Sequence, residues 1–195
     1  MRSDLKTSTC RISWRPRAMS SRQLYVFVEG DDDKRLFDQV VRKKLELAFR
    51  PIHIVKYAEM ANRKVNGFLE TAYESQSRVI FAADIDKSDN SEACSSRCRS
   101  SYSELHREDV VCVIREIEGW YLAGLDGQLL RICAPRVPAS TDTVGKGQFE
   151  SLVPKRYGGS VLAFKEAILE CFSIRAARQR NSSFRAFADA WDITA

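Results

Sequence analysis

An α/β fold is predicted: a mostly parallel sheet of about four strands with helices on both faces, followed by a C-terminal helical extension. Three observations lead there. Four short runs, 24–28, 52–55, 79–83 and 110–114, are largely apolar, β-branched or aromatic. Residues 24–28 show no polar alternation, as expected of a strand covered on both faces; 79–83 reads as another buried strand, 110–114 as an apolar strand, and 52–55 as a strand between them. Stretches of helical period separate them, which implies right-handed crossovers between parallel strands.

The first strand, Leu24-Tyr25-Val26-Phe27-Val28, stops at Glu29-Gly30, and Gly30 is expected to let the chain turn sharply. From Asp31 the period changes, with Leu36, Phe37, Val40, Val41, Leu47 and Ala48 on one helical face. Residues 52–55 form the second strand, 57–76 a helix, 79–83 the third strand ending at Asp84, 90–107 a polar helix, and 110–114 the fourth strand. Beyond residue 117 the pattern is helical to Pro135, 134–145 reads as a loop, and a second helical group spans about 147–190 with a break at Gly158-Gly159. The domain organisation expected is 1–22 as a disordered leader or mis-assigned start, with Met19 as the alternative start, 23–125 as the α/β domain, and 126–195 as a helical extension packed on it.

The chain of 195 residues is 44% hydrophobic and 29% charged, which excludes wholesale disorder and a membrane bundle. Its net charge of +5 is unevenly spread: residues 1–22 and 146–185 each carry +5, so the remainder carries −5. An acidic centre between basic segments suits a protein that holds metal and meets a polyanion; solvated helix faces explain the same pattern. Cys10, Cys94, Cys98, Cys112, Cys133 and Cys171 show no disulfide framework. No secretory signal or membrane-length apolar run is seen, and a reducing cytoplasm is the expected location. Cys94 and Cys98 form a lone C-x3-C pair without a nearby His, which argues against zinc.

Strand ends in a parallel sheet lie along one edge, so acids that follow different strands converge. Glu29 follows the first strand, Asp84 and Asp86 the third, and Glu116 and Glu118 the fourth. Carboxylates about 4 Å apart repel by roughly 4 kcal/mol at an effective dielectric of 20, so they need protons or cations between them. Oxygen-only donors favour Mg²⁺ or Mn²⁺. If the chain stays extended at Asp84-Ile85-Asp86, both carboxylates face one side. Asp31, Asp32 and Asp33 at a helix start also suit capping and the macrodipole, and for Glu116 and Glu118 a surface or helix-start role competes with ligation.

Val28-Glu29-Gly30 with Asp33, followed by Ala83-Asp84-Ile85-Asp86, resembles the toprim signature, a Glu after one strand and Asp-x-Asp after another. Glu29-Gly30-x-x-Asp33 is similar to the Glu-Gly-x-x-Glu form of the overcoming-lysogenization-defect nucleases, with Asp in place of the second Glu. The segments 116–123 and 182–185 resemble stand-alone bacterial toprim-like proteins of unassigned function. The resemblance implies that Glu29 ligates metal or acts as general base, that Asp84 and Asp86 hold Mg²⁺, and that Asp33 assists a second ion. It implies phosphodiester hydrolysis or transfer, or, in a silent relative, binding of nucleic acid or a partner protein. No G-x-x-x-x-G-K-[ST] loop is present, so an ATPase of the kind those nucleases carry would be a separate partner. Lys146, Lys155, Arg156, Arg178, Arg180 and Arg185 are the candidate nucleic-acid contacts, with Phe184 available for stacking; an exposed helix surface is the plainer explanation. A nucleotide pocket at the same strand edge is a third possibility.

Overall fold

The computed structural model describes residues 23–85, 90–133 and 137–194, so the leader assigned to 1–22 lies outside the described residues. Strands β1 (Leu24–Val28), β2 (Ile52–Lys56), β3 (Arg78–Ile85) and β4 (Val110–Ile114) form one sheet in the order β2-β1-β3-β4. Every neighbour is parallel, in registers that include Leu24↔Ile52, Phe27↔Phe81 and Asp84↔Val113.

Alternate residues of the central strands β1 and β3 enter separate cores, which is why residues 24–28 and 79–83 are apolar throughout. Leu24, Val26, Val28, Ile80, Ala82 and Val113 meet one helical layer. It begins with α1 (Asp31–Leu36), which passes through a π-helical turn (Phe37–Val41) into α2 (Arg42–Leu45). Phe27, Val79, Phe81, Ala83 and Ile85 meet the other layer, α3 (Asn62–Glu74) and α4 (Ser91–Ser101).

From β1 the chain moves to β2 on one side, then returns past β1 to β3 on the other. With one crossover hand, that reversal puts α3 on the face opposite α1. It also leaves a crevice where β1 and β3 end.

Two helices are shorter than expected, and the reasons lie in aromatic anchors. The Tyr57 ring stacks on Phe81 at 4.4 Å and its hydroxyl donates to the Ala82 carbonyl at 3.1 Å, so the chain after β2 is held at the sheet until α3 begins. Tyr102, extended at φ −128°, packs on Phe81 at 5.2 Å and terminates α4. Strand β3 is longer than expected and carries Asp84 among its last paired residues rather than beyond them.

After β4 come α5 (Glu118–Ala123), α6 (Gly127–Cys133), α7 (Lys146–Ser151), α8 (Val161–Glu170), α9 (Ile174–Arg180) and α10 (Ser182–Ala190). They share the first core: Trp120 of α5 stacks on Phe187 of α10 at 5.2 Å, and Phe149 of α7 packs on Phe164 of α8 at 5.4 Å. No helix among the described residues is long and apolar enough to cross a membrane.

A polar pin fastens α10 to the sheet. Asn181 caps it, its Oδ1 accepting from the Phe184 N–H at 2.9 Å and the Ser183 hydroxyl at 2.8 Å. The Ser183 oxygen in turn accepts from the Ile114 N–H at 3.1 Å and the Trp120 indole N–H at 2.9 Å. Ser183→Ala leaves both donors without this acceptor in a buried place, an expected loss of about 1–3 kcal/mol measurable by urea denaturation. Ser182→Ala, half-buried beside it, is the control and is expected to fall within about 0.5 kcal/mol.

Candidate functional site

The crevice at the ends of β1 and β3 is acidic. Glu29 is the first residue past β1, and Asp84 stands on the neighbouring strand, three residues beyond the Phe27↔Phe81 pair. Asp33, in the first turn of α1, is 7% exposed. Its Oδ2 accepts from the Gly30 N–H at 3.2 Å, the returning half of a capping box. Gly30 itself is extended at φ −137°, so the turn does not draw on glycine's freedom.

Electrostatics ties these groups together. Burial pushes Asp84 up to about 9, and the charges of Asp33, Glu29, Glu118 and Glu116 push in the same direction. Burial likewise raises Asp33 to about 6, against the Gly30 hydrogen bond, with Glu29 and Glu118 adding to the rise. Asp84 thus sits within the field of four other carboxyl groups, and near neutral pH it keeps its proton unless a cation replaces it.

Glu118 and Glu116 are bound into the surrounding helices. Glu118, 5% exposed, accepts from the Lys165 ammonium at 2.7 Å. Lys165, on α8 and 2% exposed, also donates to Asp32 at 2.8 Å. Its Nζ stands 5.4 Å from the ring centres of both Tyr121 and Phe149. Arg35 shares Asp32 at 2.6 Å, and the Tyr121 hydroxyl donates to the Asp32 carbonyl at 2.8 Å. This ion cluster ties α1, α5 and α8 together beside the acidic crevice.

Glu116 takes the helix-start role: its Oε2 accepts from the Lys146 N–H at the beginning of α7. The approach is close enough that a Cβ at Gly145 would meet Glu116 Oε2 at 2.9 Å. Arg115, at φ +66°, turns the chain from β4 towards α5 in a left-handed conformation that costs a non-glycine residue about 1 kcal/mol.

The remaining site residues are placed as follows. Asp86 lies outside the described residues. Asp31 pairs with Lys56 at 2.7 Å. Lys146, Lys155, Arg156 and Arg185 are exposed. Arg178 pairs with Asp189, and Arg180 donates to the Leu125 carbonyl at 2.6 Å, so both guanidinium groups join parts of the helical layer. Phe184 is fully buried against Trp120 at 5.0 Å, which removes it as a stacking platform. His53 packs on Tyr25, and His106 packs on Tyr73 with its Nδ1 4.0 Å from Asp109.

Among the described residues no three His, Cys, Asp or Glu side chains are gathered as a metal cage. Magnesium does not require one, since it keeps several waters and is commonly held by one or two carboxylates. Glu29 and Asp84 are the two candidates for such a pair. Lys165 is the residue sequence reasoning missed. Its signal was a lysine sharing a helical face with Val161, Ile168 and Leu169, where a buried charge demands acidic partners. No family model, curated protein or solved structure matches the chain.

Proposed function

We propose that the chain is a toprim-like Mg²⁺- or Mn²⁺-dependent nuclease, or a related phosphotransfer enzyme, acting on nucleic acid in a bacterial defence or mobile-element setting. Glu29 and Asp84 are the principal ligands, with Asp33 behind them and Asp86 next in the chain. The observation that carries the reading is Asp84: a half-buried carboxyl at a sheet switch point, held at about 9 by burial and four acidic neighbours. Such a group is short of positive charge.

A bound divalent ion would polarise a phosphoryl oxygen and lower the pKa of its water. Asp84, relieved of its proton, serves as an anionic ligand. Glu29, exposed beside Asp84, ligates the ion or, in the alternative role, takes a proton from an attacking water. Asp33 stays fixed by Gly30 and holds the turn that presents Glu29. Lys146 begins the helix whose first N–H meets Glu116, and its exposed side chain is a candidate phosphate contact. Lys155, Arg156 and Arg185 extend the basic surface, and a cytoplasmic ATPase acting as a separate partner fits the missing phosphate loop.

The test is incubation of purified protein with single- and double-stranded DNA and RNA in Mg²⁺, Mn²⁺ or EDTA, beside Glu29→Gln and Asp84→Ala. Metal-dependent cleavage that falls at least about a hundredfold in both variants is expected. Cleavage that survives Asp84→Ala would overturn the assignment of the site. Salt-sensitive binding without cleavage would instead identify a silent nucleic-acid-binding module, a reading favoured by the engagement of Glu116 and Glu118 within the fold.

A further inference from the structure

Three of the cysteines come together beside β3. The Cys94 thiol lies against the Ala83 carbonyl, Ala83 pairs with Cys112 in the sheet, and the Cys112 thiol donates to the carbonyl of Ser91, one turn before Cys94 on α4, at 3.5 Å. Cys94 and Cys98 lie one turn apart on α4, and Cys112 is on β4. Cys94 is fully buried and Cys98 8% exposed. Cys112 is half-buried and lines a groove of ≈ 930 Å³ along the edge strand, together with Ser91, Ile85 and Ala186. Small solutes therefore reach the trio at Cys112 first.

We propose that these thiols form an oxidative modification site in which a peroxide oxidises Cys112 and Cys94 resolves it to a reversible Cys94–Cys112 disulfide. The inference stands whether or not the crevice holds a metal. Geometry selects the pair. Residues four apart on a helix have Cβ atoms about 5–6 Å apart, whereas a disulfide needs about 3.5–4.5 Å, so Cys94 and Cys98 cannot bond while α4 is intact. Cys112 approaches Cys94 across the helix–strand interface and is under no such restriction.

The step balances. The Cys112 sulfur attacks one peroxide oxygen, the O–O bond breaks, Cys112 becomes a sulfenic acid, and the departing hydroxide takes up the Cys112 thiol proton and leaves as water. Cys94 sulfur then displaces the sulfenic oxygen, an S–S bond forms, and that oxygen departs as water with the Cys94 thiol proton. Two thiol sulfurs are oxidised and one peroxide is reduced; a dithiol reverses the bond.

Closure has a structural consequence. Cys94 leans on the carbonyls of Ala83 and Asp84, at 3.9 and 3.7 Å, and Arg97 of the same helix donates to the Asp84 carbonyl at 2.9 Å. A disulfide would fasten α4 to β4 and take the Cys94 S–H away from the strand end that carries Asp84.

The full chain, reduced and then exposed to equimolar hydrogen peroxide, tests this by tryptic mapping without reductant. Arg97, Arg99 and Arg107 separate the three thiols, placing Cys94 in 88–97, Cys98 in 98–99 and Cys112 in 108–115. A linked 88–97/108–115 peptide that dithiothreitol removes is expected. In Cys94→Ser, a dimedone adduct should accumulate on Cys112. Absence of the linked peptide from the oxidised parent chain would overturn the proposal.

Discussion

Lys165→Ala is expected to destabilise the protein by about 3–5 kcal/mol, because it strips a buried ion pair of one partner. The ammonium is 2% exposed and lies between Asp32 and Glu118, at 2.8 and 2.7 Å. Removing it leaves Glu118 ionised or protonated in an apolar setting, without the ammonium it pairs with, and exposes Asp33 and Asp84 to a stronger acidic field. Asp32 retains Arg35 and is partly solvated, so the loss is concentrated at Glu118. Lys165→Met keeps most of the volume and separates charge from packing. It should remain strongly destabilised alone and recover at least half of the loss when combined with Glu118→Gln, a coupling that urea denaturation of the parent, the two single variants and the double variant measures. A Lys165→Met protein within about 0.5 kcal/mol of the parent would show that the ion cluster contributes nothing to holding α8 against α1 and α5.

In metal-free buffer the protein should lose stability as pH rises from about 4 to about 9. Asp84 binds its proton up to about 9 in the folded chain, and Asp33 and the buried Asp109 to about 6, against an ordinary value of 3.8. Between the unfolded and folded values the folded state carries more protons, unfolding releases them, and rising pH favours unfolding. Asp31, lowered by its bond to Lys56, and Asp126, lowered by the Gly127 N–H, act in the opposite direction, and only as pH falls below the ordinary value. Asp84→Asn removes the charge while keeping the shape. It should be more stable than the parent at pH 8, by roughly 5 kcal/mol, and match it near pH 4. Identical melting of the two proteins at both pH values would mean that Asp84 does not carry the burden its surroundings impose.

The sheet was legible because its central strands are covered on both sides. Phe27 and Phe81 serve one core while Val26 and Ile80 serve the other, so these two runs contain no polar interruption that could be confused with a helix. The convergence of Glu29, Asp33 and Asp84 was legible for a topological reason, since parallel strands end along one edge whatever the sequence distance between them. What the acids bind within the fold was not. Glu118 lies 47 positions from Lys165 and Glu116 lies 30 from Lys146, and only the docking of α7 and α8 brings them together. Cys94 and Cys112 escaped for the same reason, being 18 apart on a helix and a strand that meet through packing. Arg178 and Arg180 read as surface charges by composition, yet their guanidinium groups reach Asp189 and the end of α5.

That the crevice takes a divalent cation through Asp84 is tested most directly by thermal melting at pH 8 of the parent and Asp84→Asn, each in EDTA and in Mg²⁺ or Mn²⁺. A ligand at about a hundred times its dissociation constant adds about 2.7 kcal/mol to the folded state. The expected result is a metal-dependent rise in the parent and none in Asp84→Asn, which already lacks the charge that the cation offsets. Equal rises in both proteins, or no rise in the parent, would contradict the cation site.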